Sequence, residues 1–198
     1  MKLLVFSDIH SDLKALEGLL STEADYYFAA GDLCNWGRAL EATGEVMKSR
    51  ADRVYVIPGN HESAGQISAF CARFGFHDFH GQRMQAGRYH IAGLGYSSPT
   101  PFDTPGEYSE DQLAARLGKF AGLSPLVMIC HCPPYGSTLD RVRETVHAGS
   151  TAMRDFIASE QPEYFFCGHI HEAAGTSESI GKTTAINVGK KGYLLQLD

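Results

Sequence analysis

Carboxylate, amide and imidazole side chains recur in this chain in short polar loops, each of which follows an apolar run. Seven of them have the chemistry of metal ligands: Asp8, His10, Asp32, Asn60, His131, His169 and His171. Oxygen and imidazole ligands in this mixture suit manganese, iron, nickel or zinc, and no Cys-x-x-Cys pair indicates a thiolate site. Seven groups are more than one tetrahedral cation needs. The set therefore predicts two adjacent divalent cations with one carboxylate between them.

Two adjacent cations at such a site would supply the chemistry of phosphoester hydrolysis. They lower the pKa of a water held between them, neutralise the phosphate oxygens and align the ester for in-line attack. Asp32 suits the bridging position because a carboxylate has two oxygens to share. A departing alkoxide also needs a proton, and histidine has the side-chain pKa nearest to neutrality. Two such cations beside a histidine would thus have the parts that this chemistry requires.

The apolar runs before these loops predict the elements that position the ligands. Five short runs rich in β-branched and aromatic residues predict strands over residues 2–6, 26–30, 53–57, 126–129 and 164–166. Helical spacing of apolar residues predicts helices over residues 12–20, about 38–49 and 63–74, with Asp12 as the cap of the first. Strand–helix alternation implies parallel strands, whose carboxyl ends share one edge of a sheet. We therefore expect the ligands to converge at that edge.

The last part of the chain has a different pattern, since residues 175–197 read as short strands without helices between them. This pattern predicts an antiparallel second sheet beside the parallel one. No repeat, low-complexity tract or linker-like change of composition interrupts the chain. We therefore expect one domain over residues 1–198, with the fold of a mixed α/β sandwich.

The order and spacing of the motifs resemble those of the calcineurin-like metallophosphoesterases. The motifs are Asp-x-His at Asp8, Gly-Asp at Asp32, Gly-Asn-His-Glu at Asn60, a single histidine at His131 and Gly-His-x-His at His169. They extend over most of the chain. The resemblance implies a four-layer α/β/β/α sandwich of two mixed sheets, with a dinuclear metal site at the carboxyl ends of the strands.

The same resemblance implies a role for each motif residue. The implied metal ligands form two sets: Asp8, His10 and His171 for one cation, and Asn60, His131 and His169 for the other. Asp32 would bridge the two cations, and His61 would be a catalytic residue that faces the leaving group without binding metal. Manganese is the first expectation for both cations, with iron, nickel or zinc as alternatives.

Two positions depart from the family's usual pattern, and a third has two interpretations. Ser11 stands where a glycine commonly follows the first motif, which affects the backbone freedom of that loop. Asn35 stands where some members have a second acidic residue, so the sequence leaves open which group orients His61. Glu62 is interpreted either as a group that orients a ligand or as the start of the following helix.

A proline-rich segment, residues 99–107, resembles a loop of predicted phosphoesterases related to the cyclic-nucleotide phosphodiesterases. We therefore expect a metal-bridging hydroxide to attack a small phosphodiester, with a cyclic nucleotide as one candidate. Residues 95–109 are expected to border the cleft, and Trp36 or His147 to bind the organic part of the substrate. Ordinary packing of Trp36 and a plain surface position of His147 are the alternatives. A phosphomonoesterase, a protein phosphatase and a non-catalytic scaffold of this fold remain open as functions.

The composition limits the partners and the location that we expect. The 23 acidic residues exceed the 17 Lys and Arg residues, and the resulting net charge of −6 argues against binding of long nucleic acids. No apolar run approaches the roughly 20 residues that span a bilayer, and the N-terminus lacks the pattern of a signal peptide. Five cysteines without paired spacing indicate a reducing cytoplasm, with Cys130 and Cys132 as buried apolar residues rather than ligands. The expected partner is a small phosphoester, and the oligomeric state is left open.

Overall fold

Two mixed β-sheets lie face to face in the computed structural model, which describes all residues from 1 to 198. The strands, in chain order, are β1 (Lys2–Phe6), β2 (Tyr26–Ala30), β3 (Val54–Ile57), β4 (His77–Asp78), β5 (Arg83–Ala86), β6 (Tyr89–Leu94), β7 (Leu126–Cys130), β8 (Arg141–Arg143), β9 (Val146–His147), β10 (Tyr164–Cys167), β11 (Ser177–Ile180), β12 (Thr183–Asn187) and β13 (Tyr193–Gln196). The α-helices are α1 (Leu13–Leu20), α2 (Leu40–Met47), α3 (Ala64–Phe74), α4 (Glu110–Leu117) and α5 (Thr151–Glu160). None of the five helices has the length and apolar character needed to cross a membrane.

The two sheets are both mainly parallel. The first has the strand order β13-β1-β2-β3-β4, in which β1 to β4 are parallel and β13 is antiparallel to β1. The second has the order β11-β12-β10-β7-β6-β5, in which β6, β7, β10 and β12 are parallel and the two edge strands are antiparallel. The pair β8-β9 forms a separate short hairpin. Parallel strands joined through helices are what the alternation in the sequence predicts.

Three buried clusters hold the layers together. The outer face of the first sheet packs on α1, α2 and α3, through residues such as Leu16 and Ile67. The outer face of the second sheet packs on α4 and α5, through Leu113 and Ile157. The third cluster fills the space between the sheets and includes Phe28. The layers therefore follow the order helix, sheet, sheet, helix, and the predicted four-layer α/β/β/α sandwich is confirmed.

The strand β1 illustrates why the central strands are continuous apolar runs. Leu4 and Phe6 face the helices of the first layer, whereas Leu3 and Val5 face the second sheet. Successive side chains of a strand point to opposite faces, and here both faces are buried. Polar side chains are therefore excluded until the strand ends, so the polar loop that begins after Phe6 marks the carboxyl end of β1.

The loops at these strand ends lead into helices with defined starts. Asp12 accepts a hydrogen bond from the Ala15 N–H at 3.1 Å and caps α1, as predicted. Ser63 and Gln66 form a capping box at the start of α3. α2 is shorter than predicted, because it begins at Leu40 and gives way to a 3₁₀ segment (Lys48–Arg53). The caps fix the points at which the chain leaves the ligand loops.

The last three strands differ from the prediction of a separate antiparallel sheet. β11 and β12 form an antiparallel pair, but β12 also pairs in parallel with β10 and so belongs to the mixed second sheet. β13 instead joins the first sheet, with Leu195 opposite Leu3 of β1. The prediction was therefore wrong for these strands. A local apolar run identifies a strand but not the strand that it pairs with. The pairing is set by the burial of both faces of the strand in the sandwich.

Candidate metal centre

The carboxyl ends of five parallel strands meet at one edge of the sandwich. β1, β2 and β3 bring the loops of Asp8, Asp32 and Asn60 from the first sheet, and β7 and β10 bring those of His131 and His169 from the second. This end of a parallel α/β sheet is where ligand-binding groups collect, because the connecting loops leave the sheet there. The fold therefore gathers side chains from five distant parts of the sequence.

Asp8, His10 and His171 form the first group of candidate ligands, with their nearest ligand atoms all within 4.8 Å of one another. The Nε2 atoms of His10 and His171 lie 3.0 Å apart, and His171 Nε2 lies 3.7 Å from Asp8 Oδ1. His10 Nδ1 donates to the side-chain oxygen of Asn35 at 2.8 Å. The neutral His10 ring therefore keeps a free lone pair on Nε2, which faces the other two ligand atoms.

Asp32, His131 and His169 form the second group, and Asn60 joins them. The side-chain oxygen of Asn60 lies 3.1 Å from His131 Nε2 and 2.9 Å from His169 Nδ1. His131 Nδ1 donates to the Ala30 carbonyl at 2.9 Å, so its Nε2 is the nitrogen left to bind a cation. Imidazole nitrogens and oxygen atoms thus surround a second candidate position for a cation.

Asp32 lies between the two groups. Its Oδ2 atom is 3.6 Å from His10 Nε2 and 3.4 Å from His131 Nε2. Its Oδ1 atom accepts a hydrogen bond from the His61 N–H at 2.9 Å, which fixes the plane of the carboxylate. One carboxylate is therefore within reach of both groups, which is the position that a bridging ligand requires.

The ionisable groups of the centre are strongly perturbed. Burial, supported by the negative charge of Asp32, raises the pKa of Asp8 to about 6 despite the nearby His131. Burial also lowers the pKa of His169 to about 3. Burial acts against protonation of His131, but the carboxylates of Asp32 and Asp8 raise its pKa to about 9. Two buried carboxylates need positive charge beside them, and divalent cations at these two points would supply it.

The donor chemistry of the two groups fits divalent transition-metal ions. Each group combines imidazole nitrogens with carboxylate or amide oxygens, and neither contains a thiol. His10 and His131 each donate their other ring nitrogen to an oxygen acceptor, as metal-binding histidines commonly do. The residues present therefore fit a pair of divalent cations, with Asp32 as the shared ligand.

The ligand loops have a backbone that few residue types adopt without cost. Asp8, His10, Asp32 and His169 all have φ values between 47° and 69°, in the left-handed region. Ser11, which replaces the glycine usual at this position, has a φ of 63° and so adopts the conformation that glycine favours. Backbone strain of this kind persists at functional sites where the surrounding structure enforces it.

Glu62 connects two of the ligand loops. Its fully buried carboxylate accepts hydrogen bonds from the N–H groups of Gly59, Cys34 and Asp32, at 2.9, 3.0 and 3.1 Å. Burial and the nearby charge of Asp32 raise its pKa to about 7. Since Ser63 caps α3, the structure supports the interpretation of Glu62 as a group that orients the loops rather than as the start of the helix.

His61 lies beside both groups of ligands, because a nitrogen of its ring lies within 4.8 Å of ligand atoms of His10 and Asp32. It also contacts a backbone group that the sequence does not reveal. Its Nδ1 accepts a hydrogen bond from the Trp36 N–H at 3.3 Å, and its ring is 5.1 Å from that of His10. Nδ1 is thus the acceptor, so the neutral ring carries its proton on Nε2. Asn35 contacts His10 instead, so the group that orients His61 is the Trp36 backbone.

A cleft of about 630 Å³ opens above the ligands. Ser98 to Phe102 form part of its wall, within the segment that was expected to border it. His147 forms another part, and its Nδ1 lies 2.6 Å from the buried carboxylate of Asp140. Trp36 is 46% exposed and is not among the lining residues, although its ring meets His61 edge-on. The structure therefore places His147, but not Trp36, in the cleft wall.

Asp140 was not identified from the sequence, although it controls the position of His147. Its carboxylate also accepts the N–H groups of Gly136, Ser137 and Gly149, so it ties the β8-β9 hairpin to the loop after β7. The acidic residue and the histidine are seven positions apart, and no motif joins them. Only the hairpin brings the two side chains together.

The five cysteines give a first prediction. All are buried, and Cys130 and Cys132 pack in the core on the outer face of the second sheet. Burial raises the pKa of Cys132 and that of Cys71 to about 12. Because the thiolate is the reactive form, we expect no cysteine of the native, metal-free protein to react with Ellman's reagent at pH 8 within minutes, and all five to react in denaturant. Rapid native labelling of Cys132 would contradict the interpretation of it as a core residue.

Comparisons with known proteins agree with this geometry. Residues 1–173 match the family model described as calcineurin-like phosphoesterase. The uncharacterized protein MJ1162 of Methanocaldococcus jannaschii is 28% identical over 204 residues, which cover 98% of this chain and 91% of that protein.

Solved structures share the fold at lower identity. A phosphopantetheinyl hydrolase from Mycobacterium tuberculosis superposes with a TM-score of 0.65 at 15% identity, over 95% of this chain and 88% of that one. A dimetal phosphatase from Danio rerio superposes with a TM-score of 0.63 at 12% identity, over 94% and 86%. At these identities the likeness concerns the fold alone. The family match spans all of the motifs from Asp8 to His171, and the chain belongs to the calcineurin-like phosphoesterases, a family of metal-dependent hydrolases.

Proposed function

We propose that this protein hydrolyses a small phosphodiester with the help of two divalent metal ions, manganese being the first candidate. The observation that carries the proposal is the position of Asp32 between two groups of ligands, at the floor of a cleft that His61 also lines. Asp8, His10 and His171 would hold one ion, Asn60, His131 and His169 the other, and Asp32 both. When bound, such a pair of ions supplies the charge that activates a water nucleophile and neutralises the phosphate oxygens.

His61 has the geometry of a proton donor to the leaving group. The Trp36 N–H occupies its Nδ1, so the proton of the neutral ring is on Nε2. A protonated nitrogen does not bind a cation, and His61 lines the cleft where the ester would lie. Its role in the proposal is to donate this hydrogen bond from the neutral ring, or a proton from the imidazolium form, to the departing oxygen.

The cleft supports a small substrate with an organic part. Its volume of about 630 Å³ lies in the range of sites for small molecules. Phe102 is 71% exposed on one wall, and His147 lies in another part of the lining. An exposed aromatic side chain beside a polar floor suits an ester with an apolar or planar group, such as a cyclic nucleotide.

Phosphomonoester hydrolysis is the second candidate. Its support is the fold shared with a dimetal phosphatase and a cleft that is open enough to admit a monoester. A non-catalytic scaffold has weaker support, because His61 and every candidate ligand are present at one edge of the sandwich.

A substrate panel distinguishes these functions. The purified protein, loaded with Mn²⁺, would be assayed with bis-p-nitrophenyl phosphate, p-nitrophenyl phosphate, and the 2′,3′- and 3′,5′-cyclic forms of AMP. We expect kcat/KM for the diesters to exceed that for the monoester. A preference for p-nitrophenyl phosphate would instead favour the monoesterase, and inactivity with Mn²⁺, Fe²⁺, Ni²⁺ and Zn²⁺ would favour the scaffold.

A second prediction concerns His147. Replacement of His147 with Ala removes a group that Asp140 holds in the cleft wall and that belongs to neither group of ligands. We expect KM for a cyclic nucleotide to rise by about tenfold, the effect of one lost hydrogen bond of roughly 1.4 kcal/mol. Turnover of bis-p-nitrophenyl phosphate should change much less, because that substrate lacks the sugar and base.

The matched control is Glu144→Ala, an exposed position in the turn of the same hairpin. It should leave both substrates unaffected. Equal losses on both substrates in the His147 variant, or no loss on either, would contradict a role for His147 in substrate binding.

A further inference from the structure

A chain of hydrogen bonds extends from the candidate ligand Asn60 into the proline-rich segment. The Asn60 side-chain N–H donates to the Thr104 hydroxyl at 3.2 Å. The Thr104 hydroxyl in turn donates to Glu107 Oε1, which also accepts the Thr104 N–H at 2.9 Å. Neither Thr104 nor Glu107 belongs to either group of candidate ligands.

The direction of these hydrogen bonds is fixed by the carboxylate. Ionised Glu107 can only accept, so the single proton of the Thr104 hydroxyl points toward it. The oxygen of that hydroxyl is then left with its lone pairs toward Asn60, where it can only accept. Thr104 is therefore a pure acceptor for the side chain of Asn60.

This acceptor determines which end of the Asn60 amide faces the metal position. With its nitrogen bound to Thr104, Asn60 directs its oxygen toward His131 Nε2 and His169 Nδ1, at 3.1 and 2.9 Å. An inverted amide would present an NH₂ group to the cation, which an amide nitrogen does not bind. Asn60 is only 3% exposed and Thr104 only 7%, so solvent cannot substitute for the hydroxyl.

The proline-rich segment is built to hold Thr104 against Asn60. The Gly106 N–H donates to the Asn60 carbonyl at 3.0 Å. A Cβ atom at Gly106 would lie 2.3 Å from the Gly59 carbonyl oxygen, so only glycine permits this approach. Glu107 also accepts the hydroxyl of Thr100, whose oxygen accepts the Phe102 N–H.

We propose that Thr104, held by Glu107, is a positioning residue that keeps the oxygen of Asn60 directed at the second metal ion. The segment then has two roles, since Phe102 lines the cleft while Thr104 orients a ligand. This inference rests on the proposed function, because it assigns Asn60 as a ligand.

The test is metal binding by Thr104→Val, which keeps the shape of the side chain and removes the acceptor. The metal-free protein would be titrated with Mn²⁺ by isothermal calorimetry. Loss of a group that orients a ligand commonly weakens metal binding by about 10–100-fold, and we expect such a loss for one of the two ions. Thr104→Ser keeps the hydroxyl and should restore the affinity of the natural protein.

Thr43→Val is the matched control, since Thr43 is a buried threonine of α2 whose hydroxyl has no hydrogen-bond partner and takes no part in the contacts of Asn60 or Glu107. It should bind both ions with unchanged affinity. Thermal unfolding of each metal-free variant reports whether it is folded. If the Thr104→Val variant does not fold, Thr104→Ala is used in its place.

Unchanged Mn²⁺ affinity in a folded Thr104→Val or Thr104→Ala variant would overturn the inference while leaving the proposed function intact. An equal loss in Thr43→Val, or no recovery in Thr104→Ser, would overturn it as well, because the effect would then be one of packing. Failure of the natural protein to bind two ions would refute the proposed function instead.

Discussion

Asp32→Asn is expected to bind well under two metal ions per chain and to lose activity by at least about 10³-fold. The side chain keeps its size but loses the charge that it shares between the two groups, at 3.6 Å from His10 and 3.4 Å from His131. Both sites are weakened together, and an effect of roughly 4 kcal/mol on the barrier corresponds to three orders of magnitude in rate. Mass spectrometry of the protein after gel filtration would measure the number of bound metal ions. Turnover of a diester would measure the loss of activity.

Asp12→Asn is the control for the loss of one negative charge nearby. Asp12 caps α1 outside the ligand groups, and asparagine is an equally good cap. This variant should keep two ions and full activity. Two ions retained by Asp32→Asn would contradict the bridging role of Asp32.

His61→Ala is expected to keep both ions and the fold and yet to lose about 10²–10⁴-fold in activity on a ribose or alkyl ester, the range typical of positioned acid catalysis. The loss should be much smaller for a nitrophenyl ester, because p-nitrophenolate departs without a proton. The reason is structural, since the Trp36 N–H leaves the proton of the neutral His61 ring on Nε2. Rates for esters with leaving groups of graded pKa, at saturating metal, would measure the effect.

His77→Ala serves as the histidine control, because His77 is exposed on β4, at an edge of the first sheet. It should leave every rate unchanged. Full activity of His61→Ala on a nucleotide ester would contradict the assignment of His61 as the acid.

The part of the fold that carries the ligands could be predicted because each ligand loop follows a strand buried on both faces. Such strands are unbroken apolar runs, so the first polar residues after them, such as Ser7 and Asp8 after β1, mark strand ends. Parallel connection then requires those ends to share an edge. The partners of β12 and β13 were not predictable in the same way, since pairing depends on contacts distant in the sequence.

The groups that support the site were harder to predict than the ligand loops. Trp36 acts on His61 through its backbone N–H, which every residue except proline has, so no residue type signals it. Asp140 and Thr104 act through side chains, but each meets its partner only because a hairpin or loop folds back onto the site. The sequence left open which group orients His61, and Asn35 contacts His10 instead, because the path of the loop after β2 places it there.

Titration of the metal-free protein with Mn²⁺, followed by turnover of bis-p-nitrophenyl phosphate, tests the central claim most directly. Asp32 lies between two ligand groups, so activity should require both sites and should reach its plateau at two ions per chain. The metal-free protein should be inactive. Activity without added metal, a plateau at one ion per chain, or no hydrolysis with Mn²⁺, Fe²⁺, Ni²⁺ or Zn²⁺ would contradict a dinuclear phosphoesterase.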